Sequence, residues 1–208
     1  MKKLAMFVGL YLGLTGAVMA QTGDAEAGKE KSMVCAACHG PTGNSPSDMY
    51  PKLNGQHASY LMKQLHDYQL AGETGGEEGR ANAIMQGQAA SLSDQDIADL
   101  SAYFAAQDPM QGSAPEDVVA AGQKLYMGGD EERGLTACVA CHGPRGDGMG
   151  LAKFPDISGN HPAYIAQQLE MFRDGSRAND MNGMMRDVAA KLTDEDIEIL
   201  SQYLAGLY

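Results

Sequence analysis

Cys35-Ala36-Ala37-Cys38-His39-Gly40-Pro41-Thr42-Gly43 recurs 103 residues later as Cys138-Val139-Ala140-Cys141-His142-Gly143-Pro144-Arg145-Gly146. Four cysteines in a secreted chain ordinarily make two disulfides, but a disulfide framework has no use for a histidine directly after the second cysteine of each pair. Two thiols one helical turn apart, followed by an imidazole, are instead the signature of c-type haem attachment. The thiols add to the two vinyl groups, and the next side chain lies beneath the iron. Cys35, Cys38 and His39 would hold haem 1, and Cys138, Cys141 and His142 would hold haem 2. A zinc shared by the two pairs would leave both histidines unexplained. A thioredoxin-like redox pair requires a βαβ context that this chain lacks.

The repetition extends well beyond the cysteines. Pro51-Lys52-Leu53-Asn54-Gly55-Gln56-His57 pairs with Pro155-Asp156-Ile157-Ser158-Gly159-Asn160-His161, and each is followed by a Tyr and a Gln-Leu pair. Arg80-Ala81-Asn82 pairs with Arg177-Ala178-Asn179, and Leu92-Ser93-Asp94-Gln95-Asp96-Ile97 with Leu192-Thr193-Asp194-Glu195-Asp196-Ile197. Between the copies, the Pro, Gly and Ser of residues 107–115 mark a linker. The expected organisation is therefore a leader over 1–20, one unit over 21–106 and a second over 116–208. Units of this size are small for a self-sufficient core, and a bound apolar cofactor would supply part of what is missing. Gly72 to Gly79 is expected to be a solvated turn.

Periodicity within each unit is helical, so the class is all-α. Ser93 and Thr193, three residues before Asp96 and Asp196, start capping-box-like helices whose apolar positions continue as Ile97, Leu100, Phe104 and Ile197, Leu200, Leu204. Helices are also expected over Asp24–Val34 and Pro115–Tyr126, and over Ala58–Gln69 and Pro162–Phe172.

Lys2 and Lys3 followed by a Gly-broken apolar run ending near Ala20 read as a cleaved secretory signal; the run is too short to span a bilayer, which takes about 20 apolar residues. The formal charge of −12 becomes more negative once these lysines are removed. Nucleic acid is then excluded as a natural partner, while an acidic surface suits either simple solubility or a basic docking patch.

The ligand opposite histidine decides between closed iron for electron transfer and open iron for small-molecule chemistry. Met85 and Met185 each stand seven residues before the capped-helix leucine, in matched Gly-containing segments. Met184 competes with Met185, and Met181 more weakly. His57 and His161 occupy matching positions before the middle helices, where a turn or capping role is expected. Pro51 and Pro155 either stiffen a loop or offer a carbonyl to the imidazole proton.

Across essentially the whole chain after the leader, the two Cys-x-x-Cys-His-Gly-Pro motifs, the Gly-x-His-x-x-Tyr segments and the Met-to-Leu-Ser/Thr-Asp-x-Asp-Ile stretches closely resemble the dihaem cytochrome c4 family. The resemblance implies two tandem class I cytochrome c domains related by pseudo-twofold symmetry, with haem propionate edges facing one another across the interface. It also implies the carbonyl role for Pro51 and Pro155. It further implies a periplasmic electron carrier, in loose contact with the membrane, between a quinol-oxidising bc-type complex and a terminal haem-copper oxidase. Two other readings compete: the dihaem subunit of a dehydrogenase such as flavocytochrome c sulfide dehydrogenase, and a dihaem peroxidase, which the Met in both halves opposes.

Overall fold

The N-terminal and C-terminal helices of each half cross at a glycine. In the first half α1 (Ala25–Lys31) meets α5 (Asp94–Ala105) at Gly28, where an added Cβ would lie 2.0 Å from the Asp99 carbonyl oxygen and 2.8 Å from Tyr103 Cβ. In the second, α6 (Glu116–Gly128) meets α10 (Asp194–Ala205) at Gly122, 2.4 Å from Tyr203 Cβ. This is a computed structural model describing residues 22–208; the expected leader lies outside the described residues. Among the described residues the chain is helical, and its only β pairings are the isolated bridges Asp130–Leu135 and Met149–Phe154.

Both C-terminal helices begin as the sequence suggests. Ser93 and Thr193 accept from the Asp96 and Asp196 N–H groups, and those carboxylates accept in return from the cap N–H. A cation from the N-terminal side then reinforces each cap. Lys31 Nζ lies 2.8 Å from Asp96 and 2.5 Å from Asp99. Arg133 plays the same part in the second half, 2.5 Å from Asp196 and 2.7 Å from Asp130.

The helix expected over Asp24–Val34 is two helices. Ser32 Oγ donates to the Lys29 carbonyl (2.8 Å), a local bond that competes with the helical ladder. The chain breaks there and restarts as α2 (Met33–His39), which carries the first motif. In the second half, α6 stops at Gly129 (φ 65°), a turn closed by the Asp130–Leu135 bridge follows, and α7 (Val139–His142) carries the motif.

The middle helices, α3 (Ala58–Glu73) and α8 (Pro162–Asp174), run slightly longer than expected. Two short helices escaped the periodicity reading, α4 (Ala83–Ala89) and α9 (Met184–Ala189). One apolar cluster, around Leu61, Leu100, Tyr103 and Phe104, packs against Cys35; the other, including Ile165, Phe172, Ile197 and Leu200, packs against Cys138 and Met185. The 107–115 stretch lies against both halves: Asn54 Nδ2 donates to the Asp108 carbonyl (2.7 Å), and Gly112 approaches the Ala205 carbonyl.

Overpacking a tight contact costs about 1–3 kcal/mol. Gly28→Ala and Gly122→Ala should therefore each lower the thermal midpoint by several degrees. Gly128→Ala, at the open end of α6 with nothing near its Cβ position, should not.

Asp99 is held below the ordinary carboxylate range by the Asp24 N–H first, then by Lys31 and Gln95. Its stabilising contribution is full above about pH 4 and is lost as pH falls through the depressed value. Asp99→Asn should accordingly flatten the acid limb of a melting-temperature profile recorded from about pH 5 down to about pH 2.

Candidate functional site

Helix α2 ends on His39 and α7 on His142, and each histidine is followed by a glycine at positive φ, Gly40 (77°) and Gly143 (75°). This reversal brings the following loop back toward the ring. The loop is closed by Leu53 N–H donating to the Gly43 carbonyl (2.7 Å), and by Ile157 N–H donating to Gly146 (2.8 Å). Gly43 (φ 82°) has no room for a Cβ, which would lie 2.8 Å from Phe104 and 2.9 Å from Asn54 N. The glycines that follow each His therefore belong to the site, a signal already visible in the repeated Gly-Pro-x-Gly.

Closing the loop brings a proline carbonyl to each ring. His39 Nδ1 is 2.9 Å from the Pro51 oxygen, and His142 Nδ1 is 3.0 Å from the Pro155 oxygen. A carbonyl only accepts, so Nδ1 carries the proton and Nε2 keeps its lone pair. Both rings are buried, and burial holds both below the ordinary histidine value against the opposing effect of the carbonyl, so they are neutral at pH 7. Among the described residues neither Nε2 is hydrogen-bonded. A neutral imidazole with its tautomer fixed and its other nitrogen bare is a metal ligand in waiting.

The four cysteines are unpaired. Burial raises the Cys35 thiol and pushes Cys138 up to about 11. Thiol–disulfide exchange calls for the opposite shift. Both thiols lie against the apolar cluster of their own half. Each half thus presents paired thiols, a bare imidazole nitrogen and an apolar wall, a set that fits a covalently attached haem: thiols for its vinyls, nitrogen for its iron, wall for its macrocycle.

Met85 lies in α4, half-buried, its N–H held by the Asn82 side chain (3.0 Å). Met184 and Met185 open α9, and of these Met185 packs against the second apolar cluster. The extra residues of the second copy alter the capping. Asn182 and Gly183 adopt positive φ, and Asp180 accepts from Arg186 N–H (3.0 Å) and Nε (2.8 Å), taking over the work of Asn82. Asn179 is thereby released to reach the other half, donating to Gln64 (3.1 Å) and Asp67 (2.6 Å).

The halves meet in a polar interface with matched parts. Arg80 donates to Gln64 in its own half (2.8 Å) and to Gln168 in the other (2.6 Å); Arg177 donates to Gln168 (2.8 Å) and to Tyr60 across the interface (2.9 Å). Both guanidiniums are buried, and among the described residues neither pairs with a carboxylate. Burial works to raise the Tyr60 hydroxyl, but Arg177 and Arg80 outweigh it and hold the group below its ordinary value.

The role expected of His57 and His161 needs correction. They do stand at the N-caps of α3 and α8, but neither makes a side-chain capping bond. Their Nε2 atoms instead reach the opposite half, at the Asp147 carbonyl (2.7 Å) and the Ser45 carbonyl (3.0 Å). The matched pair of polar rings in the repeat was the available signal.

These two helical units, each ending a cysteine-pair helix on a carbonyl-anchored histidine, define a tandem c-type cytochrome. The cytochrome c family model matches residues 25–107 and again 119–207. A cytochrome c4 of Azotobacter vinelandii is 45% identical over the full length of both chains. The crystal structure of reduced recombinant cytochrome c4 from Pseudomonas stutzeri is 47% identical, covers 90% of this chain and all of its own, and superposes with a TM-score of 0.87. A protein of Thiomonas intermedia described as a thiosulfate dehydrogenase electron acceptor is 37% identical, over 83% of this chain and 77% of its own. The chain belongs to the cytochrome c4 family. It is a dihaem electron-transfer cytochrome with two covalently attached haem c groups.

Intact-mass measurement should find two haem additions on the purified protein. Replacing Cys138 and Cys141 together by Ala should remove one addition and leave the first half loaded.

Proposed function

We propose that this protein is a periplasmic carrier that accepts single electrons from a quinol-oxidising bc-type complex or a dehydrogenase and passes them toward a terminal oxidase. The observation that carries this reading is the duplicated histidine, buried and neutral, anchored at Nδ1 and bare at Nε2, in a chain that presents a methionine segment at the matching place in each half. Haem, when bound, supplies a one-electron ferric–ferrous couple at each site.

Cys35 and Cys38 tether the first haem and Cys138 and Cys141 the second. His39 and His142 serve as proximal ligands, with Met85 and Met185 opposite. The packing of Met185 against the cluster that also holds Cys138 supports it over Met184. A thioether favours the ferrous state and hence a relatively high potential, which suits a carrier working outside the cytoplasm. If His39 with Met85 and His142 with Met185 held the two irons, neither site would offer peroxide a free position, and the chain's task would be to hold those ligands still through oxidation and reduction.

If the haem carboxylates faced the interface, the buried Arg80 and Arg177 would supply what they require, namely positive charge already stripped of water. Such an arrangement would favour electron transfer between the halves across the polar interface. The Thiomonas relative's description favours a second reading of the donor, a dehydrogenase in place of a bc-type complex.

Met85→Ala and Met185→Ala should each abolish the iron–sulfur charge-transfer absorption of one haem and lower its potential, leaving the other unchanged. Met184→Ala should retain both bands; loss of a band in Met184→Ala but not in Met185→Ala would move the ligand by one residue. Stopped-flow mixing with a purified bc-type complex and with a dehydrogenase would separate the two donors.

A further inference from the structure

Two amide side chains cross the interface to the same place in opposite halves. Asn160 Oδ1 accepts from the Lys52 N–H (3.1 Å) and its Nδ2 donates to the Lys52 carbonyl (3.1 Å). Gln56, its counterpart in the repeat, accepts from the Asp156 N–H (3.0 Å) and donates to the Asp156 carbonyl (2.7 Å). Each amide oxygen also accepts from the N–H of the adjoining histidine, His161 (2.9 Å) or His57 (3.0 Å). N–H groups can only donate, so these bonds fix which end of each amide is oxygen.

The residues being clamped are not arbitrary. The Lys52 N–H belongs to the same planar peptide group as the Pro51 carbonyl, and that carbonyl holds His39 Nδ1 at 2.9 Å. The Asp156 N–H likewise shares its peptide group with the Pro155 carbonyl, which holds His142. Each histidine is thus the first member of a chain of two hydrogen bonds through one peptide group, ending on an amide of the opposite half. Bonds in such a chain polarise one another, and burial strengthens the effect. An acceptor on the N–H makes the carbonyl a stronger acceptor, which gives the imidazole more anionic character and stabilises ferric iron.

We infer that Gln56 and Asn160 are positioning residues that act in trans, each setting the electron affinity of the haem held by the other half through that half's Pro–His bond. This rests on His39 and His142 being the proximal ligands. Asn160, in the second half, tunes haem 1; Gln56, in the first, tunes haem 2. The two potentials are therefore coupled to the docking of the halves, and any partner that loosens the interface raises both.

The test uses the full-length holoprotein, with each haem followed by its own methyl proton resonances during redox titration. Asn160→Leu should raise the potential of haem 1 alone, speed exchange of the Lys52 amide proton and move the His39 Nδ1 proton upfield. Gln56→Leu should do the same at haem 2, Asp156 and His142. Asn160→Gln, which keeps the amide, should restore haem 1 toward its original value. Ser59→Ala removes a different cross-interface bond, to the Gly150 carbonyl (2.5 Å), and should shift neither haem. The inference is overturned if Asn160→Leu moves both haems equally, moves haem 2 alone, or leaves haem 1 unmoved while the Lys52 amide exchanges faster. Absence of a ligated-histidine signature in the unaltered ferric protein would instead sink the ligand assignment, whatever the variants do.

Discussion

Everything at the two sites depends on a proton shared between a histidine ring nitrogen and a proline carbonyl. That bond selects the tautomer, turns the ring and leaves the second nitrogen bare. Proline suits the acceptor position because it contributes a carbonyl but no N–H of its own, and its ring stiffens the loop that presents the oxygen. For the carbonyl to arrive, the chain must reverse after each histidine, close the Gly43–Leu53 or Gly146–Ile157 bond and fit beneath the aromatic end of the C-terminal helix. Tyr103 Oη donates to the Pro41 carbonyl (2.8 Å) to hold that loop in the first half, and Tyr126 Oη to the Gly143 carbonyl (2.5 Å) in the second. The glycine crossings at Gly28 and Gly122 matter for the same reason: they let the terminal helices seat closely enough to back the loop.

The repeat made most of this legible. Two copies of a motif test one another, so the Cys-x-x-Cys-His segments and the capping boxes could be read from matched positions without coordinates, while the carbonyl role of Pro51 and Pro155, open on position alone, came with the family resemblance. Features confined to one copy, or too short to show periodicity, could not. Ser32 breaks the first helix through one hydroxyl bond, which composition does not reveal. Helices α4 and α9 are seven and six residues long, fewer than two turns. His57 and His161 were placed correctly and given the wrong work, because a position before a helix suggests capping while only the docked halves show what the ring reaches. The Gln56 and Asn160 clamps were invisible for the same reason: they are bonds to backbone, and backbone has no sequence.

Hydrogen bonds join the two halves at many points of the interface. A neutral hydrogen bond contributes about 0.5–1.5 kcal/mol net, so an array of this kind would make a modest dimer between free proteins. Joined by a short packed connection, the halves experience an effective concentration on the order of millimolar, and modest bonds are enough. Polar contacts also carry register in a way apolar ones do not. Arg80 must find Gln168 while it holds Gln64, and a sliding interface would strip the buried guanidinium of its bond to the other half, which is more costly than a displaced methyl group.

Register is what two redox centres in one chain require. Electron transfer between them depends on separation and orientation, so the geometry of docking sets the internal rate while the ligands set the potentials. Here one set of residues serves both. Lys52 and Asp156 carry the backbone that supports His39 and His142, and that same backbone is part of the surface on which the opposite half docks. The two halves differ where this arrangement tolerates difference: in the extra turn at 130–135, in the capping exchange between Asn82 and Asp180, and in the size of their apolar clusters. They agree at the histidine, the proline carbonyl and the cross-interface amide. Duplication alone would let all of these drift, and the chain of bonds from histidine through the proline peptide to the opposite amide is intact in both copies.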